Sequence, residues 1–301
     1  MRLIKFLSIT LFCYLSVSCS FIKTGYNSAP KLTTWWLDDY FDLTQSQHLI
    51  LKPALVSLHN WHRQHQLPQY ITFLNTLQTT FASNNITAEV VCDQINTIKS
   101  NVHTLQVESI PIIIEIAPLL SAKQLTRFEE KLNKRAQKWK SEWWQDLKED
   151  QLAVRLDKAE DFAEKVYGDL SEEQLLLIKN SVTEVNINPA ISYKEITRRN
   201  NDAFTILSEL KNLNNNINKG KESEQISLST TDVKTKIVQA GFDRIQESPN
   251  IAYQKYVSDL SQHSCVSIAN LHALTSVEQK LHAKNWLNNY IVQLTALQKN
   301  D

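Results

Sequence analysis

The chain has 301 residues and equal numbers of basic and acidic side chains, 32 of each. Residues 1–18 contain two of the basic ones, so the rest of the chain carries 30 basic and 32 acidic side chains. A balance this close to neutrality excludes a general nucleic-acid binder, which needs a basic excess to neutralise phosphates. Glycine (4) and proline (7) are scarce, which favours long helices over many short strands.

The first eighteen residues have the pattern of a secretory signal. Arg2 and Lys5 supply a basic start, and residues 6–17 form an apolar run that is too short to span a bilayer comfortably. Small residues follow at the expected cleavage position, so we predict a signal peptide over residues 1–18.

Cys19 follows the small residues directly, and this arrangement resembles a bacterial lipobox. The resemblance implies that Cys19 receives lipid and becomes the new N-terminus. Ser20 rather than Asp comes next, which by analogy with lipoprotein sorting places the protein on the periplasmic face of the outer membrane. Ser16 and Ser18 also fit ordinary signal peptidase, so a soluble periplasmic protein is the alternative.

Three aromatic residues and three carboxylates are concentrated just after a short tether, residues 19–32. They are Trp35, Trp36, Asp38, Asp39, Tyr40 and Asp42. No lysine or arginine lies between Lys31 and Lys52, and like charges this close repel unless they are paired. We predict a structural joint, in which the aromatic side chains lock the tether onto the folded body and the carboxylates meet an arginine of another helix (Arg63, Arg127 or Arg135). A divalent cation is the alternative, but the turn glycine of an acidic cation loop is missing.

Three histidines, His59, His62 and His65, recur at a spacing of three around Trp61 and Arg63. They fit a zinc or copper site or, alternatively, a solvated face near a helix end, where histidine suits the helix dipole. We favour the second interpretation because no carboxylate or cysteine joins them at metal-ligand spacing. His62 and Arg63 remain candidate binding residues.

Apolar residues recur at helical spacing along almost the whole chain after residue 33. The predicted helices cover residues 44–65 (ended by Leu67-Pro68), 69–81, 87–107, 110–120, 121–168 (one bent helix), 171–185, 191–213, 233–246, 249–260 and 276–297. A helix of about 45 residues is roughly 65 Å long, so we predict an elongated all-α bundle. The expected organisation is a signal (1–18), a lipidated tether (19–32), a helical bundle (33–211), a polar loop (212–231) and C-terminal helices packed on the bundle (232–301).

Cys92 and Cys265 are the two cysteines after residue 19. An oxidising periplasm permits a disulfide between them. We favour two buried, unbonded thiols on separate helices, because the sequence gives no distance between them.

Four predicted helices begin with a hydroxyl residue followed three positions later by Gln or Glu, the capping-box pattern. They are Leu43-Thr44-x-x-Gln47, Leu120-Ser121-x-x-Gln124, Leu170-Ser171-x-x-Gln174 and Leu274-Thr275-x-x-Glu278. These lines resemble the LTxxQ motif of small periplasmic chaperones of the Spy/CpxP type. That resemblance implies an all-helical cradle for unfolded proteins, although good helix caps alone produce the same pattern.

A second resemblance covers most of the chain. It is carried by Cys19, Gly25-Tyr26-Asn27, the segment WLDDYFDL at 36–43, Trp61-His62-Arg63, Leu67-Pro68-x-Tyr70 and the long helix after Leu120-Ser121. Together they are similar to an uncharacterised lipoprotein family of Gram-negative bacteria, a domain of unknown function. The resemblance implies a helical envelope lipoprotein and no specific activity.

No catalytic signature or cofactor motif is recognisable, so we expect a non-enzymatic protein that needs no cofactor. Its expected partners are the membrane, through the N-terminal lipid, and an envelope protein, an unfolded client or a lipid held between amphipathic helices. The alternative is a metal-assisted hydrolase that uses Asp38, Asp39 and Asp42 or the three histidines.

Overall fold

The computed structural model describes residues 22–83, 85–143, 148–218 and 225–299, with side chains omitted at 148–150 and 214–229. Within these ranges the chain forms eleven α-helices and no strand, which confirms the all-α prediction. The helices are α1 (Ala29–Phe41), α2 (Gln45–Trp61), α3 (Leu67–Ala82), α4 (Ala88–Ile116), α5 (Ala122–Trp143), α6 (Lys148–Tyr167), α7 (Glu172–Glu184), α8 (Pro189–Asn218), α9 (Gln225–Gln246), α10 (Ile251–Ala273) and α11 (Val277–Lys299). Residues 22–27 are also helical.

The helix that begins at Thr44 does not end at Leu67-Pro68. A π-helical turn, His62–Gln66, joins α2 to α3, and the Leu67 N–H donates to the His62 carbonyl five residues back. The turn restarts the hydrogen-bond register, so Pro68 falls in the first turn of α3. A proline is tolerated there because the first N–H groups of a helix have no intrahelical acceptor.

Other helix bounds differ from the prediction, among them the end of α10, which is Ala273 and not residue 260. Pro111 lies inside α4, so the two helices predicted over 87–120 are one. The described parts of the predicted bent helix, 121–168, are α5 and α6, and residues 144–147 between them lie outside the described part. The described parts of the predicted polar loop 212–231 are helical: α8 continues to Asn218, and α9 begins at Gln225. Polar residues such as Asn and Lys cost a helix only a few tenths of a kcal/mol each, about 0.7 at most.

The helices repeat one arrangement twice, in unit 1 (29–143) and unit 2 (148–299). In unit 1 the pair α1–α2 contacts α5, and α2 contacts α4. In unit 2 the pair α6–α7 contacts α11, and α7 contacts α10. The last helix of each unit packs against the other unit. Helix α5 of unit 1 packs along α8 of unit 2, and α11 of unit 2 packs along α3 of unit 1. The pairing order is the same in both units, so α1, α2, α3, α4 and α5 correspond to α6, α7, α8, α10 and α11, with α9 as an addition packed on α4.

Two apolar cores lie at opposite ends of α4, whose 29 residues span about 43 Å. Near its C-terminal end, Ile110 and Ala117 join a core with Leu210 and Val238. Near its N-terminal end, Val91 packs in another core with Cys265 and Ala269. This arrangement is consistent with the predicted elongated body.

Cys92 of α4 and Cys265 of α10 form a disulfide, with their Cα atoms 5.5 Å apart. The expectation of two unbonded thiols is therefore wrong. The reason is that α4 and α10 pack together although their cysteines are 173 residues apart, a long-range contact that local sequence patterns do not encode.

One segment in the described part, Ala88–Leu119, is long and apolar enough to cross a membrane by length and composition. Core helices of other proteins meet the same criterion, so this is weak support for a membrane span. Here the segment packs against α2, α9 and α10 and carries Cys92 of the disulfide.

Candidate functional site

The helix starts that were predicted as capping boxes adopt that geometry at three of the four positions. At α2, the Gln47 N–H donates to Thr44 Oγ1 (3.3 Å) and the Thr44 N–H donates to Gln47 Oε1 (2.8 Å). The same reciprocal pair occurs at the starts of α5 and α7. These three predictions are confirmed.

The fourth box lies one residue further along than predicted. The Ser276 N–H donates to Gln279 Oε1 (2.9 Å), and the Gln279 N–H donates to Ser276 Oγ (3.2 Å). The Thr275 hydroxyl instead donates to the His272 carbonyl (2.6 Å) and closes the end of α10. Both hydroxyl residues have a suitable partner three positions on, so the sequence alone does not choose between them.

The four glutamines of these boxes meet in two pairs. Gln47 and Gln124 exchange Nε2–Oε1 hydrogen bonds of 3.1 and 2.7 Å. Gln174 and Gln279 exchange two such bonds of 2.9 Å. Each Nε2 also donates to the backbone near the partner's cap, at the carbonyls of Leu119, Asp42, Leu274 and Asp169. Both amide hydrogens and the amide oxygen are therefore satisfied, and each pair fastens two helix N-termini together.

Beside the first pair lies an apolar space of about 480 Å³, which we call cavity A. Its walls include Trp36, Phe41, Leu43, Ile116, Phe128 and Leu207. They come from α1, the α1–α2 turn, α4, α5 and α8, so the helices of both units enclose it. The cavity is partly open to solvent, and almost all of its wall is hydrocarbon.

Unit 2 has a counterpart of about 460 Å³, cavity B, at the end of α6. Its walls include Phe73, Leu77, Ile95, Phe162, Ile178 and Leu271. Tyr167 lies just before the left-handed Gly168 at the end of α6, as Phe41 lies just before the left-handed Asp42 at the end of α1, and both line their cavity. Volumes of this size fall within the range of about 300–1,000 Å³ that is usual for small-molecule sites.

A buried ionic network borders cavity A. Glu195 on α8 is 1% exposed, and its carboxylate accepts hydrogen bonds from Arg198 (2.8 and 2.9 Å), Arg199 (2.8 Å) and Ser248 (2.9 Å). Burial raises the pKa of Glu195, but these hydrogen bonds outweigh it and the pKa is lowered overall. The carboxylate is therefore held ionised.

The network continues along α8 to Asp202, which accepts hydrogen bonds from Arg244 (2.6 and 2.9 Å) and from Arg198 (3.3 Å). Arg199 and Asp202 line cavity A. Sequence reasoning missed this network. The signal was present, since Glu195, Arg198, Arg199 and Asp202 have the three- and four-residue spacings that bring side chains together on a helix.

The polar neighbour of cavity B is different. The Tyr167 hydroxyl lies 3.1 Å from His272 Nδ1, and His272 Nε2 lies 2.9 Å from the Ser83 carbonyl. A carbonyl only accepts, so Nε2 carries the proton and Nδ1 accepts from the tyrosine. Burial lowers the pKa of His272 and raises the pKa of Tyr167, which keeps both groups neutral.

The aromatic residues of the predicted joint differ in burial, although the ring centroids of Trp36 and Tyr40 lie 4.5 Å apart. Tyr40 and Phe41 are buried, and Phe41 stacks on Phe128 with the ring centroids 4.7 Å apart. Trp35 is 71% exposed and Trp36 is 45% exposed. The prediction that the tryptophans lock the tether is wrong for Trp35, because α1 turns its Tyr40 side, not its Trp35 side, toward α5.

The carboxylates of the joint have separate partners. Asp39 pairs with Lys131, and that hydrogen bond lowers the pKa of Asp39. Arg127 donates to the Asp39 backbone carbonyl (3.1 Å) and not to the carboxylate, so the predicted arginine is replaced by a lysine at this position.

The other two acids lie elsewhere. Asp38 lies 3.1 Å from His48 Nε2. Asp42 is the C-terminal cap of α1, with a left-handed backbone (φ 52°). Arg135 donates to the Tyr40 hydroxyl (3.1 Å).

The histidines around the π turn hold the N-terminal segment. The Tyr26 hydroxyl lies 3.0 Å from His62 Nδ1, and His59 Nε2 lies 3.0 Å from the Tyr26 carbonyl. Burial, and then the charge of His59, lowers the pKa of His62. Arg63 donates to Asn27 Oδ1 (2.6 Å), whereas His65 bonds the Trp61 carbonyl of its own helix. The three histidines therefore do not converge, and the described residues contain no group of three metal-ligating side chains.

These contacts unite the separate motifs of the lipoprotein resemblance. Gly25-Tyr26-Asn27 meets Trp61-His62-Arg63, and the His62 ring lies 5.5 Å from the Tyr70 ring. The motifs form the place where the start of the described chain is fastened to the π turn. Cys19 lies outside the described residues.

The fold and the cavities of the described part define an all-α, duplicated bundle with two apolar cavities. A family of unknown function, DUF6279, matches residues 39–247, and the chain belongs to that family. The match covers Gln47, Gln124 and Gln174 but ends before α10 and α11. No curated protein and no solved structure matches the chain.

Proposed function

We propose that the protein is a non-enzymatic binding protein of the bacterial envelope that holds hydrocarbon chains in cavities A and B. The observation that carries the proposal is the pair of cavities, which have similar volumes and almost wholly apolar walls in equivalent places of the two units. Apolar walls favour an apolar ligand, because each Å² of apolar surface removed from water contributes about 25 cal/mol.

The scarcity of polar groups distinguishes between ligand classes. A peptide backbone carries an N–H and a C=O at nearly every residue, and burying them without partners costs about 1–3 kcal/mol per group. The two polar neighbours described above already have partners, since Arg199 donates to Glu195 and to the Ile245 carbonyl and Tyr167 donates to His272. Few polar groups are therefore left for a peptide backbone. An acyl chain makes no such demand, so it fits the cavities better than an extended peptide does.

Two features support an envelope location. Residues 1–18 have the pattern of a signal, followed by Cys19 in a lipobox-like context. The Cys92–Cys265 disulfide suits an oxidising compartment such as the periplasm. We place the protein on the periplasmic face of the outer membrane, anchored by lipid on Cys19.

A chaperone-like role is the second candidate, on the strength of the LTxxQ-like helix starts. All four glutamine amides are saturated within their pairs, so these motifs support the fold and are not free to contact a client. A client would have to use the cavities or the outer surface.

The test is a calorimetric titration of the purified protein with hexadecanoate. We compare wild type with Ala203→Phe, which fills cavity A from its wall, and with Ala252→Phe, a control on an exposed position of α10. We expect saturable binding of hexadecanoate to the wild type. Ala203→Phe should weaken binding at least tenfold at one of the two sites, cavity A, whereas Ala252→Phe should leave binding unchanged. Absence of saturable binding in the wild type overturns the proposal.

The same variants separate the chaperone role. The protein is tested for its ability to suppress the aggregation of a denatured test protein. If suppression is unchanged by saturating hexadecanoate and by Ala203→Phe, clients bind outside the cavities, which favours the second candidate.

A further inference from the structure

The outer face of α1 consists of Lys31, Leu32, Trp35 and Trp36, and we propose that this face lies on the surface of an anionic phospholipid bilayer. Trp36 belongs both to this face and to the wall of cavity A, but the proposal does not depend on what the cavities bind. It adds a peptide contact to the lipid anchor expected on Cys19.

The exposure of this face is unusual for its chemistry. Trp35 is 71% exposed and Leu32 is 54% exposed, and Trp36 is 45% exposed. Residues three and four apart lie on one side of a helix, so Leu32, Trp35 and Trp36 form a contiguous apolar strip with Lys31 beside it. The buried side of the same helix, at Thr34, Tyr40 and Phe41, faces the protein.

The chemistry of the strip matches a membrane interface. Tryptophan is enriched at the headgroup level of bilayers, where an apolar ring and a polar N–H are both accommodated. The segment 22–37 contains Lys23 and Lys31 and no acidic residue, and of the acids that follow, Asp38 lies against His48 and Asp39 pairs with Lys131. A basic residue close to an anionic leaflet contributes about 1 kcal/mol, which complements the apolar strip.

The position of the face supports the same partner. Cys19 precedes the first described residue by three positions, a span of about 11 Å at most when extended. The described chain begins at residue 22, in a helical segment (22–27) that leads into α1. A lipid on Cys19 therefore keeps the start of this segment close to the bilayer, and the Tyr26–His62 and Asn27–Arg63 contacts fix the segment against the π turn. Another exposed apolar residue, Val277 (78% exposed), lies in unit 2 at the start of α11 and has no such link to an anchor.

The test places one nitroxide label on the full protein, through Trp35→Cys or, at a second position on the face, Leu32→Cys. Val277→Cys is the matched control. Each protein is mixed with phosphatidylethanolamine–phosphatidylglycerol vesicles, and the vesicle-bound fraction is isolated by flotation. Collision rates of the label with oxygen, which partitions into lipid, and with a water-soluble nickel chelate then report its depth.

We expect labels at positions 32 and 35 to have an oxygen-to-nickel collision ratio at least several-fold above that of the label at 277. Three results overturn the proposal: failure of the protein to float, equal nickel accessibility at all three positions, or protection of positions 32 and 35 from both reagents. The last result means that protein covers the face, as in association with a second copy.

Discussion

Cavities A and B have walls of the same chemistry, but their polar neighbours differ. Cavity A is bordered by an ionic network centred on Glu195, whereas cavity B is bordered by the neutral pair Tyr167–His272. A disulfide ties α4 to α10 close to cavity B, where Val91 and Ile95 contribute to the wall. The two units thus share apolar cavities and paired helix caps while using different means to hold the surrounding helices. The shared cavities are therefore the best candidates for function, whereas the paired caps and the differing parts stabilise the fold.

Removing the charge of Glu195 has the largest expected effect on this comparison. Glu195→Ala removes a buried carboxylate that accepts four hydrogen bonds, three of them from the half-buried Arg198 and Arg199, which costs about 3–5 kcal/mol in the free energy of unfolding. Urea denaturation measures the loss. Asp259→Ala, which breaks an exposed pair with Lys255, is the control and should cost less than about 1 kcal/mol. Similar losses for the two variants would show that the network does not stabilise the fold.

Glu195 also makes the free energy of unfolding depend on pH. Its pKa is lower in the folded state than in the unfolded state, so its stabilisation is complete above the unfolded value and is lost as the pH falls through the folded value. Glu195→Gln should flatten this acid limb of the stability curve. An unchanged acid limb contradicts the assignment.

The second effect concerns the disulfide. A Cys92→Ala, Cys265→Ala double variant should lower the free energy of unfolding by about 2–4 kcal/mol, because the bond constrains a long segment of the unfolded chain. Ligand binding at cavity B should weaken more than at cavity A, since α4 and α10 both line cavity B. Equal weakening of ligand binding at both cavities would show that the disulfide stabilises the bundle as a whole and does not shape cavity B in particular.

The glutamine pairs should respond equally in the two units. Gln47→Ala and Gln174→Ala each break a buried amide pair and a helix cap, for a loss of about 1–3 kcal/mol. A double-mutant cycle of Gln47→Ala with Gln124→Ala should give a coupling free energy of about 0.5–3 kcal/mol. Additive losses would mean that the two amides are not coupled. Strongly unequal losses for Gln47→Ala and Gln174→Ala would contradict the equivalence of the two caps.

The smallest effect distinguishes the two interhelical turns. Gly168 (φ 79°) and Asp42 (φ 52°) both adopt the left-handed region at equivalent turns. Gly168→Ala should cost about 1–2 kcal/mol from the backbone, because an added Cβ would meet the His282 ring only at an ordinary 3.5 Å. Gly168→Asp should cost less, since Asp tolerates this conformation at position 42. Thermal unfolding compares the variants, and the reverse order would contradict the equivalence of the turns.

Helix content and most helix starts were predictable, because amphipathic spacing and capping are local. Thr44, Ser121 and Ser171 were placed correctly for that reason. The pairing of Gln47 with Gln124 was not predictable, since it depends on two helix starts 77 residues apart meeting in space. The Cys92–Cys265 disulfide was not predicted for the same reason.

The candidate site was the least predictable part. A cavity forms where facing helices do not pack closely, and the spacing of apolar residues in the sequence does not reveal how closely the helices pack. The prominent acidic cluster drew attention to Asp39, which proved to pair with Lys131 at the surface. Trp36 of the same stretch does line cavity A.

The central proposal is that two equivalent cavities hold hydrocarbon chains. The number of ligands bound per chain tests it most directly. Native mass spectrometry with hexadecanoate should show up to two ligands on the wild-type chain, one on Ala203→Phe, one on Ala159→Phe, which fills cavity B, and none on the double variant. A correctly folded double variant that still binds two ligands, or a wild type that binds none, would contradict the proposal.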